Sequence, residues 1–123
     1  YTDATERFLV AEIIREKLML ALGGELPYGV AVTIEEWKDP PEDELASGSA
    51  AAVTRIGAVI HVERGSQKAI VIGRKGATLR GIGSAAREEI ETLIGTRVYL
   101  DLFVRVEKNW SREPRALRKL GYR

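Results

Sequence analysis

The sequence predicts an α+β domain, and three observations carry that expectation. Apolar residues recur at helical spacing from Phe8 to Leu22 and again from Leu79 to Leu93. They alternate with polar residues from Val30 to Glu35, from Ile56 to Val62 and from Val98 to Val106, the pattern of strands with one buried face. The chain has 123 residues, 45% of them hydrophobic, enough for one domain with a real core. The order reads helix, strand, strand, helix, helix, strand, with a tail helix behind. No segment repeats. The expected architecture is a three-stranded sheet packed on one face by helices.

Each element has local signals. Asp3 and Glu6 stand at capping-box spacing ahead of the first stripe, Phe8, Val10, Ala11, Ile14, Leu18, Ala21 and Leu22. Gly23-Gly24 ends that helix, and Leu26-Pro27-Tyr28-Gly29 makes a turn. Val30, Val32 and Ile34 then alternate with Ala31, Thr33 and Glu35 until Asp39-Pro40-Pro41 stops the strand. Residues 39–53, rich in Pro, Ser, Ala and acid, read as a long surface loop with no chemistry of its own. Ile56, Ala58, Ile60 and Val62 form the second strand. Gly65-Ser66 marks a turn with Ser66 as N-cap, and Lys68 to Ile72 is a very short helix. Leu79, Ile82, Ala86, Ile90 and Leu93 stripe the next helix, which Gly95 ends. Gly81 and Gly83 inside it each cost about 1 kcal/mol against alanine, which points to close packing or close ligand approach on their face. In the last strand Val98, Leu100, Leu102, Val104 and Val106 face one way; Arg97, Tyr99, Asp101, Phe103 and Arg105 face the other. Pro114 stands near the start of a tail helix that runs from Ser111 to Leu120.

The most informative stretch is Ile70-Val71-Ile72-Gly73-Arg74-Lys75-Gly76-Ala77-Thr78-Leu79. Two glycines bracket two basic residues immediately before a helix. Glycine lets the backbone approach a ligand without a Cβ in the way. The first helical turn offers unpaired N–H groups and the positive end of a dipole. Arg74 and Lys75 add charge at the same point, so the loop is suited to hold a phosphate. A tight turn with a solvated tip has the same signature, and the rest of the chain has to decide.

Net charge is only +1, so this is no polycationic coat, and any positive patch must be local. The segment from Lys68 to Arg87 is such a patch: Lys68, Arg74, Lys75, Arg80 and Arg87 without an acid, followed at once by Glu88, Glu89 and Glu91. A solvated helix face would look similar; coincidence with the glycine loop favours a binding role. The absence of cysteine excludes disulfides and cysteine-based zinc sites and favours an intracellular setting. No apolar run approaches the roughly 20 residues of a membrane span, and the N-terminus shows no signal peptide. An opening at Tyr1, without methionine, is expected of a piece of a longer protein.

This element order, with Val71-Ile72-Gly73-Arg74-Lys75-Gly76 between two helices, resembles a type II KH domain. The match extends further. Glu6-Arg7-Phe8-Leu9-Val10-Ala11-Glu12-Ile13-Ile14-Arg15-Glu16-Lys17-Leu18 resembles the helix that opens the C-terminal domain of the Era family of bacterial GTPases. So do Glu25-Leu26-Pro27-Tyr28, Val62-Glu63-Arg64-Gly65-Ser66-Gln67-Lys68, Trp110, Arg115-Ala116-Leu117-Arg118 and Leu120-Gly121-Tyr122. There are two departures: Pro114 stands where the family usually has an acidic or polar residue, and the 39–53 loop is unusually rich in Ala and Ser. The resemblance implies the order α-β-β-α-α-β with a C-terminal tail of about residues 110–123, in one KH domain over residues 1–123. It implies single-stranded RNA binding, with the 3′ end of small-subunit (16S) ribosomal RNA as target during 30S assembly. The family's GTPase domain, which binds GTP and magnesium, would be a partner within the same polypeptide. This chain has no Gly-x-x-x-x-Gly-Lys-Ser/Thr, so the resemblance covers only the RNA-binding half, with no cofactor and no catalysis of its own. It also implies a cytoplasmic location, peripheral on the cytoplasmic membrane face.

The expected site follows. KH modules clamp about four nucleotides against the loop. Gly73, Arg74, Lys75 and Gly76 would meet phosphates, with help from Lys68 and Arg80. Ile70, Ile72, Leu79 and the second strand near Val62 would wall an apolar groove for the bases. Each of those apolar residues would serve equally well as plain core. Other constellations are weaker. His61, the only histidine, reads as a partly exposed structural residue with nothing to share a metal. Trp37 and Trp110 lack an arginine-flanked stacking context and read as packing residues. Glu35-Glu36 and Glu88-Glu89 are adjacent pairs that point to different faces. Ser66 and Ser84 lack a His-carboxylate partner set. Three alternatives stay open. Gly73 to Gly83 could be a dinucleotide loop, although Gly73-x-x-Gly76-x-x-x-x-Gly81-x-Gly83 is not Gly-x-Gly-x-x-Gly. The chain could be another type II KH protein. Or it could be a KH-fold interaction module using its tail and the Tyr99, Phe103 face. No leftover apolar strand face is obvious, and a monomer is expected.

Overall fold

Strand β2 (Val53–Val62) is the middle of a three-stranded sheet of order β1-β2-β3. A computed structural model describes residues 3–23, 29–48 and 52–107 of the chain. Helix α1 (Asp3–Leu22) leads into β1 (Ala31–Lys38), which pairs antiparallel with β2. A short helix α2 (Glu42–Ser47) lies between them. After β2, helices α3 (Gly65–Ile72) and α4 (Ala77–Ile94) carry the chain back to β3 (Arg97–Val106), which runs parallel to β2. Parallel neighbours need such a crossover, since no tight turn can join them. The helices pack on one sheet face, with α1 and α4 side by side.

The core is where the three periodicities meet. Val10 and Ile14 of α1, Ala86 and Ile90 of α4, Ile56 and Ala58 of β2 and Val98 of β3 form one buried cluster. Leu18, Leu22, Ile60, Val62, Val71 and Ile82 form a second, and Val32 and Leu102 pack against both. Removing Ile14 or Ile90, both without solvent exposure, would cost about 2–5 kcal/mol as alanine. Val62 is equally buried. It is core and cannot wall a groove, because β2 has a strand on each side and helices above. The periodic strand β3 matches its expectation: Val98 is buried, while Arg97, Tyr99, Asp101, Phe103 and Arg105 stand exposed.

Several local expectations are corrected. Residues 42–47 form α2, where an uninterrupted loop was expected. Gly48 ends it at φ 68°, its N–H donating to the Leu45 and Glu44 carbonyls. Strand β1 ends at Lys38, just before the expected stop at Asp39, but its alternation is broken by a register shift between Ile34 and Glu36. The extra residue brings Ile34 and Trp37, three apart, to the same core face. Arg7 lies over the Trp37 ring, 5.8 Å from its centroid, so this tryptophan has an arginine after all. Ser66 is not the N-cap of α3. Arg64 is, and the Gln67 side chain reaches back to accept from the N–H groups of Glu63 and Arg64, both at 2.9 Å. Glu25 to Tyr28, residues 49–51, Trp110 and the tail helix with Pro114 lie outside the described residues.

His61 is fully buried, contrary to the expectation of partial exposure. Nδ1 lies 2.8 Å from Glu107 Oε1 and Nε2 lies 2.8 Å from Thr33 Oγ1. A carboxylate only accepts, so Nδ1–H donates to Glu107 and the Thr33 hydroxyl donates to Nε2. The neutral ring thus satisfies both ends and ties β1 and the end of β3 to β2. Burial pushes the imidazole below its ordinary range, against the opposite pull of Glu107. A folded-state pKa below the unfolded value means that the unfolded chain binds the proton first. Stability is then complete above about pH 6.5 and declines as pH falls through that value toward the folded pKa. Urea melts between pH 7.5 and 5.5 should show this decline. In His61→Gln the loss over that interval should shrink, although the variant starts less stable.

Candidate nucleic-acid interface

The loop between α3 and α4 is held in three left-handed steps. Gly73 (φ 74°, ψ −179°) ends α3, with its N–H bonded to the Ala69 carbonyl at 2.9 Å. Lys75 (φ 54°, ψ 28°) is the only described non-glycine residue at positive φ, and Gly76 follows at φ 77°. Gly73 occupies a region open essentially to glycine alone. A Cβ there would also overlap the Thr78 side chain. Lys75 pays for its left-handed backbone locally: Arg80, one turn into α4, donates Nη1–H to the Lys75 carbonyl at 2.8 Å.

This geometry turns the loop outward. Arg74 and Lys75 are exposed at its tip, and Lys68 is exposed on α3. Among the described residues no ion pair engages any of these three. The first turn of α4 carries no acid, so its N–H groups and dipole face the same point as the cations. Arg80 was expected to help with phosphate; its guanidinium is already bonded to the loop backbone and braces it.

Beside the loop a groove of ≈ 440 Å³ runs between α4 and β3. Gly76, Leu79, Arg80, Gly83, Ser84 and Arg87 line one side, Leu100 and Leu102 the other. Its floor is apolar, its rim basic, and no acid among the described residues lines it. At the far end Arg87 Nη1 is 3.4 Å from Glu91, whose Oε2 accepts the Val98 N–H at 2.8 Å. Of the expected walls the structure brings only Leu79 into this groove. Val62 is buried; Ile70 lies exposed on α3 and Ile72 is half-buried, neither lining it. Sequence reasoning marked Gly83 and Arg87 only in general terms, as a tight helix position and a member of the basic segment, and missed Ser84, Leu100 and Leu102. The signal was available in α4: Gly76, Leu79, Arg80, Gly83, Ser84 and Arg87 form one i, i+3, i+4 stripe starting at the loop. Gly83 lines the groove, where an added Cβ would sit in ordinary contact 3.6 Å from Leu102. At Gly81 close packing is absent among the described residues, since nothing lies within 4 Å of an added Cβ. The dinucleotide alternative fails on local structure, since helix α3 and not a strand leads into Gly73.

A family model described as KH domain matches residues 25–111. The chain belongs to the KH domain family. This KH domain is 51% identical over 121 residues to GTPase Era of Geobacter metallireducens, covering 98% of this chain and 38% of that protein. GTPase Era of Synechocystis is 46% identical over 122 residues, with coverages of 99% and 36%. Among solved structures, Era of Aquifex aeolicus bound to GDP and AlF4⁻ superposes with a TM-score of 0.79 at 41% identity, over 94% of this chain and 36% of that one. Era in complex with MgGDPNP and nucleotides 1506–1542 of 16S ribosomal RNA gives a TM-score of 0.80 at the same identity and coverage. The KH domain thus spans little more than a third of the curated relatives it matches.

The two glycines make opposite predictions. Gly73→Ala should lower stability by about 3 kcal/mol or distort the loop, through forbidden backbone and the Thr78 overlap. Gly81→Ala, in open helical surface, should raise stability by about 0.5–1 kcal/mol. Thermal denaturation of both variants beside the wild type checks the pair.

Proposed function

We propose that this KH domain binds single-stranded RNA, with phosphates at Gly73–Gly76 and bases in the α4–β3 groove. It is a binding module and not an enzyme. The observation that carries the reading is the continuity of an outward-turned basic loop with an acid-free apolar groove. Backbone N–H groups of the first α4 turn, Arg74 and Lys75 would hold phosphates, while Lys68 contributes field from α3. Bases turned inward would lie against Leu79, Leu100 and Leu102, with Gly83 leaving room for a ring. Ser84 and Arg87 present hydrogen-bonding groups toward base edges. A basic groove without acids also draws the polyanion in electrostatically.

The relatives narrow the target. We infer that the chain serves as the RNA-binding part of an Era-type GTPase, acting in the cytoplasm on the 3′ end of small-subunit rRNA during 30S assembly. The complex of Era with 16S rRNA nucleotides supports this. GTP and magnesium would belong to the remainder of such a protein, since no phosphate-binding Gly-Lys-Ser/Thr loop occurs in this sequence. The fragment in that complex, nucleotides 1506–1542 or 37 counted inclusively, is much longer than the about four nucleotides one KH clamp takes.

The test is titration of a short single-stranded RNA copying the 3′ end of small-subunit rRNA, across salt. If three or four phosphates are held, log affinity should fall with log salt at a slope of roughly 2 to 3. Arg74→Asp with Lys75→Asp should fold normally and lose most of the binding; equal binding by that variant would remove the loop from the site. Gly83→Leu should keep the helix and fill the groove. It should weaken RNA at least ~10-fold without changing the salt slope, because it touches bases and no phosphate.

A further inference from the structure

The sheet face opposite the helices carries two exposed aromatic rings on one strand. Tyr99 is 51% and Phe103 57% exposed, four residues and about 13 Å apart along β3. Both point away from the core, and among the described residues both rings stand more than half exposed. The Tyr99 end is basic. The Arg55 guanidinium lies over the Tyr99 ring, 5.1 Å from its centroid. Lys38 pairs in register with Arg55, and Arg97 precedes Tyr99 on the same face. Between the rings stand two acids, Asp101 and, over Gly57 on the neighbouring strand, Glu36; toward the other end Arg105 is 3.7 Å from Glu35.

This face is continuous with the groove. β3 is an edge strand whose alternate residues look in opposite directions: Leu100 and Leu102 into the groove, Tyr99 and Phe103 onto the outer face. The Arg87 end of the groove meets β3 at Val98, through Glu91. That is the end at which Arg97, Tyr99 and Arg55 stand. A nucleic-acid strand leaving the groove there has only the width of one strand to cross before it meets an arginine-flanked ring. Exposed aromatics on a sheet are the platform on which single-stranded bases stack in other RNA-binding folds, and arginine stacks as well as neutralises phosphate.

We propose that Tyr99 and Phe103 form a second, stacking site for single-stranded RNA, taking the nucleotides that leave the groove at its Arg87 end. The proposal rests on the RNA-binding reading of the groove and adds to it a length dependence. RNA confined to the clamp ignores the platform; longer RNA uses it.

The experiment compares a clamp-length RNA with the same RNA extended by three nucleotides on either side, binding to the 123-residue chain. One extension should raise wild-type affinity roughly 10-fold, the scale of a base stacked on an aromatic side chain. Tyr99→Ala with Phe103→Ala should abolish that gain and leave clamp-length affinity unchanged. Tyr99→Leu with Phe103→Leu should also abolish it, keeping apolar area while removing the rings. Arg74→Asp with Lys75→Asp should depress both RNAs. The proposal is overturned if the gain survives in the ring variants, or if clamp-length affinity falls with it. It is equally overturned if the ring variants change only self-association in sedimentation, which would make the face a protein contact. Failure of the wild type to bind either RNA would instead sink the reading of the groove, and this site with it.

Discussion

Parallel pairing of β2 with β3 is the constraint on which the site depends. The chain leaves β2 at Val62 and must travel back along the sheet before β3 can begin at Arg97. Helices α3 and α4 make that journey, and α4 makes most of it. The N-terminus of α4 therefore lies at the end of the sheet where β2 finishes, and its length runs beside the edge strand. The groove is the gap between a helix so placed and β3. The loop at its mouth is the joint between the two crossover helices. Position, dipole direction and charge at the site all follow from one topological fact.

The joint stays open because its strain is met by neighbours. Gly73 is left without a side chain so that Thr78 can close over it. Lys75 keeps an unfavourable backbone because its carbonyl is held by Arg80. Arg80 commits one N–H to that contact, while Arg74 and Lys75 extend outward from the loop tip. Among the basic residues of the segment, Arg80 also braces the loop backbone and Arg87 pairs with Glu91, distinctions invisible in a count of charges.

The elements with strong periodicity were legible. β3 alternates without a break, and α4 carries its stripe from Leu79 to Leu93. The glycine loop was legible because two glycines and two cations precede a helix start. The groove walls were not. Val62 and Leu102 look alike in a period-two pattern; what separates them is that β2 lies in the middle of the sheet and β3 at its edge, which is a property of pairing. His61 was misplaced for a related reason, since its cover comes from Thr33 on β1 and Glu107 just beyond β3. Gln67 displaced Ser66 at the start of α3 because a longer side chain can reach back over two backbone N–H groups. α2 escaped notice because six residues without a buried side chain carry no period to read.

That last helix has a use of its own. α2 buries nothing, and it lies in the connection from β1 to β2, which leaves β1 after Lys38 and enters β2 at Val53. Neither core cluster draws on it. The segment around Glu42–Ser47 is therefore the natural place to graft a fluorophore or an affinity handle. A cargo attached there would ride on the domain without leaning on its core.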